Sequence, residues 1–70
     1  MAERSDLEDV LESIVDQTGL AGAIEALATV CVAKAEHLKS NWQDAVAARP
    51  WTRIAFRLDS VAAVAKREGL

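Results

Sequence analysis

Apolar residues recur along this chain at the three-and-four spacing of an α-helix in three successive blocks. In the first, Leu7, Val10, Leu11, Ile14 and Val15 fall on one face, while Glu8, Asp9, Glu12, Ser13 and Asp16 fall on the other. This spacing predicts a helix over residues 6–17. Ser5 followed by Glu8 has the form of a capping box, in which the hydroxyl accepts from an orphan amide and the carboxylate reaches back. Gly19 ends the block, because glycine takes a left-handed conformation without a Cβ penalty, and Leu20 can fold back as the accompanying apolar contact.

The second block predicts a helix over 20–39 with Leu20, Ile24, Leu27, Cys31, Ala35 and Leu38 as its main stripe. Ala23, Ala26, Val30 and Ala33 widen the apolar surface, as expected of a helix with neighbours on more than one side. Ser40 and Asn41 should end it, Asn being the next choice after Gly for a left-handed cap. Asp44 is then a candidate N-cap for a short helical turn over 44–48. Pro50 should interrupt that turn, since its ring clashes with the Val46 carbonyl and its missing amide leaves that carbonyl unpaired. The main third helix is expected over 50–67, the alternative being one kinked helix from Asp44. It would carry Trp51, Ile54, Leu58, Val61, Ala62 and Ala65 inward, with Trp42 and Trp51 closing the open end. The reading is an all-α, small three-helix bundle, one domain over residues 1–70.

Length changes this picture more than composition does. A chain of 70 residues hides only about 60% of the surface its unfolded form exposes, and its own core is marginal. A single cysteine, Cys31, excludes an intramolecular disulfide, and no paired Cys/His zinc spacing is present. Regular packing or association is left, and completion of the bundle by a homodimer is the expectation.

The apolar run Ala26–Ala33 is far shorter than the ~20 residues that cross a bilayer, and the acidic N-terminal stretch lacks the blocks of a signal peptide. A cytoplasmic protein without membrane contact is expected. Charge is unevenly placed: residues 1–25 carry seven carboxylates against Arg4, and residues 45–70 carry five basic groups against Asp59 and Glu68. The two ends can attract each other within or between chains.

Candidate chemistry concentrates in CVAKAEHLKSNWQD, residues 31–44. Cys31 and His37 are six apart, about 120° from each other on a helix, and cannot converge on one ion or act as nucleophile and base. Cys31 lies on the apolar stripe, where a free thiol behaves as a small hydrophobe. His37 sits in the last turn of the second helix, favourably placed for the negative end of the helix dipole. Glu8 and Glu12 are one turn apart, but no histidine accompanies them as in a dimetal bundle. No glycine-rich phosphate loop or triad-like set exists, so neither enzymatic activity nor a metal or cofactor is expected.

The basic end is more informative. Arg49, Arg53 and Arg57 form a row at i, i+4, i+8, which could touch successive phosphates or an acidic helix. Against nucleic acid stand the acidic total charge and a would-be recognition helix without Arg, Asn or Gln. Phe56 lies about 160° around the helix from Leu58 and Ile54, outside the expected core, and is best explained by an interface with a second chain.

The stretch VCVAKAEHLKSNWQD, residues 30–44, is similar to one in short, uncharacterised helical proteins encoded in bacterial genomes. That resemblance implies a small bacterial cytoplasmic protein and carries no activity, ligand or catalytic residue. The functional expectation is a non-enzymatic, self-associating interaction module that uses Phe56, Trp42, Trp51, Arg49, Arg53 and Arg57. The alternative is a small nucleic-acid-associated protein using the same Arg row.

Overall fold

A computed structural model describes residues 2–70, with side chains from residue 6 onward. The capping role expected of Ser5 therefore falls outside the described residues. Two helices make up the fold, α1 over Ala2–Asn41 and α2 over Ala45–Arg67, joined by three residues. Such a short connection makes them antiparallel neighbours.

The all-α class stands, but the three-helix bundle does not form. The first block is not a separate packed helix; it is an arm, residues 6–18, continuous with α1 except for a break at Gly19. Its apolar stripe is left in solvent, with Leu7, Val10, Leu11 and Ile14 all exposed. The outline has the same message. A 23-residue helix such as α2 is about 34 Å long. A pair of helices of that length explains one long dimension of the 37 × 34 × 16 Å outline, and the arm leaving sideways supplies the second.

Gly19 makes this departure possible. Its φ of 79° and ψ of 160° lie in a region essentially confined to glycine. The break leaves amides at the start of the 20–41 segment without helical partners, and the end of α2 satisfies one of them. There Gly69 takes a left-handed φ of 79°, Leu70 N–H bonds to the Ala65 carbonyl at 2.9 Å, and Gly69 N–H bonds to the Lys66 carbonyl at 3.0 Å. This double bond pattern is the Schellman motif. It aims the Leu70 carbonyl at α1, where it accepts from Ala21 N–H at 3.2 Å. On the arm side, the Thr18 hydroxyl donates to the Ile14 carbonyl at 2.8 Å.

A Cβ at Gly19 would lie 2.8 Å from the Leu70 oxygen. Gly19→Ala therefore meets both backbone strain and a clash, and should destabilise the fold by about 1–3 kcal/mol. Hydrogen exchange checks the cause as well as the cost: the Ala21 amide should lose protection before the mid-helix amides of α2 do.

Two local expectations need correction. Helix α2 starts at Ala45 and continues through Pro50, so the third block does not begin at the proline. Asp44 is its N-cap, accepting from Ala47 N–H at 2.9 Å. Pro50 sits in the second turn, where Val46 and Pro50 are both exposed and water can satisfy the carbonyl that loses its partner. At the other side of the connection the left-handed residue is Gln43, with φ 50°, and not Asn41.

The contact line between the helices is made of small residues. Ala21, Ala28, Cys31 and Ala35 of α1 meet Ala48, Ala55, Ala62 and Ala65 of α2, each less than a tenth exposed. Alanines repeat every seven residues on both sides, at 21, 28, 35 and at 48, 55, 62. This is the period of a coiled-coil seam, and small side chains put the axes at the close end of the 8–10 Å range of helix pairs.

One ion pair spans the seam, Lys66 Nζ to Glu25 Oε2 at 2.6 Å. Its hydrogen bond and charge hold the Lys66 ammonium above its ordinary 10.5. A raised pKa stabilises the folded state below the ordinary value, and that stabilisation is lost as pH rises through the raised value. The melting temperature should therefore fall more steeply above pH 10.5 in the wild type than in Glu25→Gln. Parallel melting curves for the two proteins would contradict this.

Candidate functional site

A helix pair held together by alanines leaves its large side chains outside. The stripes expected to point inward are split by this geometry. Cys31, Ala35, Ala62 and Ala65 are buried, and Ile24, Leu38 and Leu58 are half-buried at the seam's edge. Leu20, Leu27, Trp51, Ile54 and Val61, expected in the core, are exposed. The physical reason is width: an apolar stripe covers well over 100° of a helix, and only its alanine line reaches the partner helix.

These side chains share one face of the pair. On the helical period, Leu20, Leu27 and Val30 of α1 lie to the same side of the seam as Trp51, Ile54 and Val61 of α2. Lys34 joins the two helices there, its ammonium 5.8 Å from the centre of the Trp51 ring. That is within the range of a cation–π contact. The result is an apolar face crossed by one lysine.

The opposite face carries a basic groove of about 410 Å³ between the end of α1 and the first half of α2. Lys39, Arg49, Arg53 and Phe56 line it with the small residues Ala45, Ala48 and Thr52. A second hollow continues it along α2 past Arg57 and Ser60. Phe56 is 69% exposed at the middle of this strip. Among the described residues, none of the three guanidinium groups is in an ion pair.

The residues expected to form one interface are thus on three surfaces. Arg49, Arg53, Arg57 and Phe56 are brought together in the groove. Trp51 is on the apolar face with Ile54 and Pro50. Trp42 closes nothing; it is 70% exposed in the connection, where its Nε1–H donates to His37 Nε2 at 3.3 Å.

An indole can only donate, so Nε2 of His37 is the acceptor in this bond. Asn41 Nδ2 lies 2.7 Å from Nδ1 of the same ring. His37 thus serves as a local tie for the helix end. Cys31 is buried in the seam among alanines. No group of three metal-ligating side chains occurs among the described residues.

By length and composition, the stretch Asp6–Asn41 includes an eighteen-residue window with mean hydropathy 1.3, enough for a membrane-crossing helix. In the fold, that stretch is broken at Gly19 and paired to α2 through Glu25 and Lys66.

No family model, curated protein or solved structure matches this chain.

Proposed function

We propose that this chain is a small, non-enzymatic helical module of the cytoplasm that acts by self-association, as a homodimer, and offers its remaining surface to a protein partner. The observation that carries the reading is that, among the described residues, no side chain larger than cysteine is buried in the single chain. An alanine seam supplies too little apolar area to offset the ordering of 70 residues.

Surface area makes the same point with a number. The chain exposes 5507 Å², against about 4,200 Å² for a compact protein of its 7.5 kDa mass. The excess is about 1,300 Å² per chain, or about 2,600 Å² for two chains, which matches the interface of an obligate homodimer. The apolar face of Leu27, Val30, Trp51, Ile54 and Val61 is the natural seat of such an interface, since it is continuous over both helices and nearly free of charge.

Solution mass over a wide range of concentration tests the reading, with twice 7.5 kDa expected. The Arg row, exposed and in no ion pair among the described residues, supports a second reading, a small nucleic-acid-associated protein. The net charge of −3 weighs against it.

A further inference from the structure

Two apolar surfaces stay bare in the single chain. One is the stripe of Leu7, Val10, Leu11 and Ile14 on the arm, and the other is the face of Leu27, Val30, Trp51, Ile54 and Val61 on the helix pair. We infer that the arm of one copy lies across the apolar face of a second copy, and that two arms exchanged in this way build the dimer. The inference rests on the self-association proposed above and names the segment that covers the face.

Length favours this contact. From Leu7 to Ile14 the stripe is about 10 Å long, which matches the 8–10 Å between the axes of two packed helices. Laid across the pair, it meets Leu27 and Val30 of α1 at one end and Trp51 and Ile54 of α2 at the other. The stripe runs from about 8 Å to about 18 Å beyond the break at Gly19, so it is clear of its own helix pair and reaches the partner's open face with no helix layer to cross. Glu12 and Asp16, on the opposite side of the arm, stay in water.

Three other arrangements fit less well. A return of the arm onto its own pair requires a reversal of the chain, for which connections between packed helices use about two to eight residues. The break is one residue, Gly19, and a Cβ there would lie 2.8 Å from the Leu70 oxygen. Two arms packed on each other would repel, since each carries five carboxylates and no basic group over residues 6–18. Residues 20–70, by contrast, carry seven basic groups against five carboxylates, so charge draws the arm to a helix pair. Face-to-face packing of the two helix pairs would leave both stripes in water.

Leu11→Lys on the arm and Ile54→Asp on the face test the exchange in the full-length protein, by sedimentation velocity with circular dichroism on the same dilution series. Both positions are 51% exposed in the single chain. Each variant alone should weaken the dimer about a hundredfold or more, because a lone charge is buried at both symmetric contacts. An equimolar mixture should form a heterodimer at least about tenfold tighter than either homodimer, since one contact is then unaltered and the other holds two opposite charges. Weakening in both variants with no gain on mixing would place each arm on its own pair and overturn the exchange. Leu11→Lys as tight a dimer as wild type, with Ile54→Asp dissociated, would overturn arm docking and leave self-association standing. A wild type that is monomeric at every concentration would overturn both.

Discussion

Ile54→Asp should turn the protein into a chain that is monomeric at micromolar concentration and loses helix on dilution. Ile54 lies near the middle of α2 on the face shared with Leu27, Val30, Trp51 and Val61, and is 51% exposed in the single chain. In a monomer, a carboxylate at a half-exposed position on a helix surface changes stability by no more than about 0.5 kcal/mol. In a dimer buried through this face, the same carboxylate loses water at both symmetric positions and leaves a pocket unfilled. The expected cost is several kcal/mol per dimer. Because the isolated chain has only its alanine seam, dissociation and unfolding should coincide. Sedimentation velocity and circular dichroism over the same dilution series check this together. Phe56→Asp, on the opposite side of α2, should leave the apolar contact intact.

Ala55→Leu addresses the seam. Ala55 is 4% exposed and occupies the middle of the 48, 55, 62 line of the seam. Three added carbons have no space there unless the helices separate. Overpacking of this kind costs about 1–3 kcal/mol. For a domain of this size each kcal/mol moves the melting temperature by about 4–8 °C, so a fall of roughly 5–20 °C is expected. Ala63→Leu makes the same chemical change at an exposed position of the same helix and should leave the melting temperature within a few degrees. Equal effects at both positions would show that the seam is not where the helices touch.

Why the sequence conveys the helices but misplaces the core can be traced to particular residues. The break at Gly19 and the cap at Asp44 are local matters of backbone and side-chain chemistry, and both were legible. Pro50 was over-read: the rule against proline describes a buried helix interior, and here the freed carbonyl faces water in the second turn.

The larger error lies between Leu27 and Ala28. Periodicity marks both as members of one broad apolar stripe and is silent on which of them touches the neighbouring helix. The expected stripe takes in Leu20 and Leu27 and passes over Ala21 and Ala28, whereas the heptad repeat of alanines is the available signal for the contact line. The arm was misplaced for a related reason, since an amphipathic helix records that it has a partner without recording which chain supplies it. Phe56 and the Arg row were legible as a group from spacing alone. Trp51 is five residues from Phe56, about 140° around α2, and that separation too could have been read from the numbering.

The measurement that tests the central claim most directly is sedimentation equilibrium of the wild type from high to low micromolar concentration, with thermal melts at each concentration. The account predicts a mass of twice 7.5 kDa that falls only as helix content falls, and a melting temperature that rises with concentration. A mass of 7.5 kDa throughout, with one sharp melting temperature independent of concentration, would contradict it.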